Sequence, residues 1–112
     1  MDSPQDLLQQ ALTLPNGSRL KNRLAKSAMS EALGTTDNHA TEALVRLYGR
    51  WAAGGIGLLI TGNAMIDRRA LGEPNNVAIE DDSDMPLLQR WAAAGQANGT
   101  QLWVQLNHPG RQ

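Results

Sequence analysis

Cysteine is absent from the 112 residues, which removes disulfides, thiolate zinc sites and cysteine nucleophiles and fits a reducing compartment. A surplus of basic charge is lacking too. Ten Lys and Arg stand against 11 Asp and Glu, for a net charge of -1, so nothing in the balance favours nucleic acid or an anionic membrane. Long apolar runs are missing: the longest, Ile56 to Ile60, includes Gly57 and is far too short to cross a bilayer. The amino terminus, Met1 to Asp6, carries acids where a secretory signal needs bases followed by an apolar core. The expectation is a cytoplasmic protein with a small-molecule partner and no metal, nucleic acid or membrane.

What remains is a globular composition, 41% hydrophobic, suited to one domain. Two Asn-x-Ser/Thr triplets, Asn16-Gly17-Ser18 and Asn98-Gly99-Thr100, both contain Asn-Gly where a turn is wanted, and are read as turns and not as glycosylation sites. Leu12 to Leu14 and Leu20 flank the first of them, predicting a hairpin over about 12–20. A first strand is expected over about 23–28.

Thr36, Asp37 or Asn38 is expected to cap a helix whose Ala40, Ala43, Leu44, Leu47, Tyr48 and Trp51 share a face, and Gly54-Gly55 to stop it. The uninterrupted run over 56–62 predicts a parallel strand covered on both faces. A polar loop from Asp67 to Asp82 is long enough to suggest a functional role. Ser83 or Asp84 then caps a second helix, with Pro86 in its first turn and Leu88, Trp91, Ala92 and Gly95 on one face. Asn98-Gly99 ends it, and a third strand follows over 101–106.

Strand, helix, strand, helix, strand implies parallel neighbours joined by right-handed crossovers. Three strands cannot close a barrel, which needs eight. The pattern therefore predicts either a small α/β domain or the first part of something larger. Ligands of parallel α/β folds sit at the carboxyl ends of the strands, which selects Ala28-Met29-Ser30, Thr61-Gly62-Asn63, and Gln105-Leu106-Asn107-His108 through Arg111. These are mostly neutral hydrogen-bonding groups. A planar heterocycle with alternating donors and acceptors, such as a flavin, is matched by such groups because a carboxamide offers both, although composition alone does not choose flavin.

Leu14-Pro15-Asn16-Gly17 followed by Lys21-Asn22-Arg23 and Ser27-Ala28-Met29, then Ala53-Gly54-Gly55-Ile56-Gly57-Leu58-Leu59-Ile60-Thr61-Gly62, then Gln105-Leu106-x-His108-x-Gly110-Arg111-Gln112 resemble, in order, the opening of the old yellow enzyme family of NADH:flavin oxidoreductases. The resemblance runs from about Leu12 to Gln112. It implies that residues 1–112 form the amino-terminal segment of a TIM (β/α)₈ barrel, a hairpin plus the first three strands and two helices. It also implies an FMN cofactor, NADH or NADPH as reductant, and reduction of an activated C=C bond. Carried over by position, Ala28 and Met29 lie against the ring, Ser30 near its pyrimidine side, Gly62 and Asn63 supply a backbone contact, and Gln105 a carboxamide. Ala28 stands where many relatives have Pro, Ser30 where Cys or Thr is common, and Ala32 where some carry a substrate-facing Tyr.

The substrate-binding His residues and the phosphate-binding loops of that family are expected beyond Gln112, so no catalytic residue is assigned here. Plainer roles compete: Ser30 as a turn cap, Met29 as core filler, and His108 and Arg111 as loop-shaping residues. His39 is expected to be solvent-exposed without a role, and Arg68-Arg69 to be a solvated loop feature. Gly55-Ile56-Gly57 is no dinucleotide fingerprint, because Ile60 fills the last glycine position and the glycines precede the strand. A reading from another class is a truncated, non-catalytic α/β fragment, a homo-oligomer that buries its open strand edge against another copy.

Overall fold

The computed structural model describes residues 3–111 and opens with a helix that hydrophobic periodicity does not reveal. The Ser3 hydroxyl accepts from the Asp6 N–H while the Asp6 carboxylate accepts from the Ser3 N–H, a reciprocal cap at the start of α1 (Pro4–Gln9). Met1, Asp2 and Gln112, and with them part of the amino-terminal reading and the last position of the Gln105–Gln112 motif, lie outside the described residues. The hairpin pairs β1 (Leu12–Thr13) with β2 (Arg19–Leu20), Leu12 opposite Leu20. Its turn is closed by Gly17, at φ +89°, and by the Ser18 N–H donating to Asn16 Oδ1 at 3.0 Å.

The first parallel strand, β3 (Ala25–Lys26), is shorter than the expected 23–28. Its leading residues are committed elsewhere: the Arg23 N–H bonds the Leu8 carbonyl and the Leu24 N–H bonds Asn22 Oδ1. The helix α2 (Glu42–Ala53) is capped by Thr41, not by Thr36, Asp37 or Asn38. Asn38 has φ +68°, and its side chain and carbonyl bond the Asn76 carbonyl and the Ala78 N–H, which fixes it in a loop. Gly54 and Gly55 end the helix, Gly55 at φ +94°.

Next comes β4 (Leu58–Met65), which starts two residues later and ends three later than the expected 56–62. Inside the polar stretch expected to be a loop lies β5 (Val77–Ala78), paired with Ala64 and Met65. Helix α3 (Met85–Gly95) has Asp84 at its N-cap position and Pro86 in its first turn. The Asp84 carboxylate makes no cap bond, because it is taken by His39 and the Ala40 N–H. Asn98 (φ +60°) and Gly99 (φ +78°) turn the chain into β6 (Gln101–Asn107).

All sheet partners of β4 are parallel to it. Leu58 and Ala64 each pair with β6 as well as with β3 or β5, so β6 runs along one edge while β3 and β5 follow one another along the other. This is an α/β fold with a parallel sheet. One face is covered by α2 and α3, where Leu44, Tyr48 and Ala52 pack with Leu59 and Trp91. The Tyr48 ring stands edge-on to Trp51 and Trp91, at centroid distances of 5.1 and 5.5 Å. β4 is buried almost throughout, whereas β6 exposes Trp103, Val104 and Leu106. The hairpin is tied to the strands' amino ends, Gln101 Nε2 donating to the Arg19 carbonyl and Lys21 Nζ to that of Asn98. The carboxyl ends are therefore on the side away from the hairpin.

Candidate functional site

At those carboxyl ends the ladder between β4 and β6 slips. Ile60 faces Trp103, yet the next pair is Asn63 with Gln105, so β4 holds one residue more than β6 across that interval. The Thr61 hydroxyl fills the gap in the ladder by accepting from the Gln105 N–H at 3.0 Å. The slip brings Asn63 and Gln105 side by side, and Gln105 Nε2 donates to Asn63 Oδ1. Each carboxamide then keeps one arm without a bond to another described residue, an acceptor on Gln105 (Oε1) and a donor on Asn63 (Nδ2).

Beyond β3, the chain passes so close to β4 that a Cβ on Gly62 would sit 2.4 Å from the Met29 carbonyl oxygen. Only glycine admits this approach. Ala28 is half-buried, while Met29 (57% exposed) and Ser30 present their side chains to solvent. Met29 is thus not core filler, and the Ser30 hydroxyl caps no turn among the described residues. The expected backbone contact from Gly62 is narrowed, because its N–H already donates to Glu31 Oε2 at 3.1 Å.

Glu31 was not singled out by sequence, and Tyr48 only as one residue of a shared helix face. The Tyr48 hydroxyl donates to the same Glu31 oxygen that accepts the Gly62 N–H. Burial of the ring, then the neighbouring Glu31 carboxylate, pushes the phenol's pKa well up, so it remains a donor. Its helical spacing marked Tyr48 as core, and nothing local distinguishes Glu31, whose partner is 31 positions away. Lys26 lies 4.9 Å above the Trp51 ring and donates to the Ser27 carbonyl, with its pKa lowered by burial against a smaller opposing pull from Glu31.

The loops around the site hold each other. The Gly34 N–H bonds the Asn75 carbonyl and Asn75 Nδ2 returns a bond to the Gly34 carbonyl, at 2.9 and 3.0 Å. Arg68 pairs with Glu80 at 2.7 Å and reaches the carbonyls of Asp37 and Asn38, so it is a loop brace and not the solvated residue expected. Arg69 is exposed and paired with Asp67. His39 is half-buried and bonded to Asp84 at 2.9 Å, against the expectation of a free surface histidine, because the loop before α2 folds over the start of α3. His108 shapes its own loop by accepting the Gly110 N–H.

A concavity of about 630 Å³ lies elsewhere, on α2, lined by Leu33, Leu47, Arg50 and Ala53 among others. It is an uncovered helix face without convergent polar groups, and the strand ends remain the better site. Among the described residues no group of three or more His, Asp or Glu is placed to hold a metal, and no helix is long and apolar enough to cross a membrane.

The chain is similar to known proteins over most of its length. Residues 8–112 match the model of a family described as NADH:flavin oxidoreductase / NADH oxidase. An NADH-dependent flavin oxidoreductase of Hypocrea jecorina is 42% identical over 105 residues, covering 90% of this chain and 26% of that protein. The NADH:fumarate oxidoreductase of Klebsiella pneumoniae is 38% identical over 111 residues, 99% of this chain and 12% of that protein. Among solved structures, an old yellow enzyme homologue from Zymomonas mobilis superposes with a TM-score of 0.82 at 25% identity, over 93% of this chain and 28% of its own. Morphinone reductase does so at 0.80 and 26%, over 93% and 27%. The chain thus spans between about an eighth and a third of the length of the relatives it matches.

Proposed function

The chain belongs to the NADH:flavin oxidoreductase / NADH oxidase family, and from that premise we propose that it supplies the ring-binding part of an FMN site in an oxidoreductase that reduces an activated C=C bond with NADH or NADPH. In this reading β3, β4 and β6 are the first three strands of a (β/α)₈ barrel, whose mouth is the carboxyl-end face. The observation that carries it is the Asn63–Gln105 carboxamide pair beside the open Met29-Ser30 segment.

The donor set fits a flavin ring. Gln105 Oε1 and Asn63 Nδ2 offer an acceptor and a donor side by side, the pattern that the pyrimidine edge of the ring requires. Met29 offers an apolar surface, and the Ser30 hydroxyl a dipole where charge develops on reduction. When bound, FMN supplies the acceptance and donation of hydride. The chain's own part is to orient the ring and to hold the loops that border it, through the Gly34–Asn75 and Arg68–Glu80 bonds. No group of the chain is assigned to proton transfer. An alkene flanked by electron-withdrawing groups is the substrate class, which agrees with the fumarate in the name of the Klebsiella relative.

The test is a spectrum and an assay on the purified protein that carries this chain. A bound flavin absorption band, bleached by NADH or NADPH and restored by fumarate or a cyclic enone, is expected. A colourless protein that no FMN reconstitutes, or a flavin that reduced nicotinamide leaves oxidised, refutes the reading. A second reading, assembly through a strand edge, is favoured by the exposed Trp103, Val104 and Leu106 of β6.

A further inference from the structure

We propose that Glu31 is a positioning residue of the flavin site, its carboxylate clamping the Met29-Ser30 segment to Gly62 and fixing a negative charge beside the residues that face the ring. The proposal rests on the flavin reading above. Both bonds to Glu31 Oε2 are donated to it, by the Tyr48 hydroxyl and by the Gly62 N–H, so one oxygen ties the helix layer to the strand end. No Lys, Arg or His lies within ion-pairing distance of it among the described residues, so its direct partners are dipoles, and the cation that feels its charge is the more distant Lys26.

The clamp is rigid from below. Tyr48 is completely buried, and its ring is fixed edge-on between Trp51 and Trp91, so the hydroxyl has one place to point. From above, Glu31 Oε1 and the Met29 carbonyl occupy the volume that a side chain at position 62 would need, with 2.5 and 2.4 Å to an ideal Cβ. Immediately after Glu31, Ala32 is held at φ +54°, a left-handed conformation that is unfavourable for a non-glycine residue and persists only where the surroundings over-determine it. Met29 and Ser30 are thus placed through Glu31, and the helix layer is linked to the strand ends by one side chain.

Charge and geometry make separable demands. A fixed carboxylate opposes the gain of negative charge on flavin reduction, so Glu31→Gln is expected to raise the flavin's reduction potential. Glu31→Ala removes the acceptor as well and is expected to raise the FMN Kd about tenfold, equivalent to about 1.4 kcal/mol, with Glu31→Gln losing less. Tyr48→Phe keeps the charge but loosens its hold, and is expected to weaken FMN binding with no upward shift in potential. The measurements are FMN titration by fluorescence quenching, potentiometry and thermal melting on the FMN-loaded protein that carries this chain. Variants that melt earlier but keep the parent's affinity and potential would make Glu31 a brace of the fold only and overturn the proposal. A parent that binds no FMN overturns the flavin reading first and this proposal with it, whereas a parent that binds FMN beside unchanged variants overturns this proposal alone.

Discussion

Gln105 is the residue on which the proposed site depends most directly. Its N–H bonds the Thr61 hydroxyl, its Nε2 bonds Asn63, and its Oε1 is left to accept. Gln105→Ala removes the free acceptor and releases Asn63, and is expected to weaken FMN binding by roughly 1–3 kcal/mol, the range for one or two lost hydrogen bonds to a buried partner. Fluorescence titration of FMN reads this, and an unchanged Kd removes Gln105 from the site. Gly62→Ala works through contact instead: the added methyl meets the Met29 carbonyl and Glu31, so a loss of about 2 kcal/mol in stability is expected from overpacking against backbone, seen as a lower urea midpoint. Gln105 was singled out in sequence on the expectation that a carboxamide closing a buried strand must find partners; it bonds Asn63, although β6 itself leaves Trp103, Val104 and Leu106 exposed. Glu31 was not legible, because its importance arises only where two chain segments meet, and no spacing rule records that approach.

Elements were legible where their signals were local. The end of α2 is written in Gly54-Gly55, and β4 in a continuous apolar run. The start of α2 was misplaced because Thr36, Asp37 and Asn38 offer the same capping chemistry as Thr41, and the choice is made by distant bonds from Asn38 to Asn76 and Ala78. Thr41 accepts the Leu44 N–H and donates its own hydroxyl to the Leu33 carbonyl at 2.7 Å. Thr41→Ala is therefore expected to cost about 1 kcal/mol, measurable by chemical denaturation, whereas Thr36→Ala should cost little. β5 escaped notice because two residues show no periodicity. In the loop before it, Asp67 is held down to about 2 by its bond to the Arg69 side chain, then by the Arg69 N–H. Because that folded-state pKa is depressed, the stabilisation is present above the ordinary carboxylate pKa and is lost as pH falls through about 2. Carboxyl NMR titration should find Asp67 among the most acidic aspartates and returned toward normal in Arg69→Ala.

At the scale of the whole molecule, the two sides of the sheet and its two edges are treated unequally. The hairpin closes the amino ends, and α2 and α3 cover one face, but β6 pairs only with β4 among the described residues and leaves Trp103, Val104 and Leu106 open, Leu106 at 65% exposure. An unpaired strand edge beside large exposed apolar side chains is a template for association. The charge does little to oppose it, since a net of -1 gives weak repulsion between copies. The sequence pattern foretold an open edge but not which side chains would be exposed on it, since that follows from the register of β6 against β4. The 112-residue chain by itself is accordingly expected to self-associate at micromolar concentration, and to hold FMN weakly, because among the described residues the strand ends offer groups for the ring but no cluster of cations for a phosphate. Sedimentation velocity on the chain, alone and as the Leu106→Lys variant, separates the causes. Association that falls in the variant assigns it to the β6 face, association that persists assigns it to another surface such as the α2 groove, and a monodisperse monomer that binds FMN tightly shows that the exposed edge is neutral and the site complete.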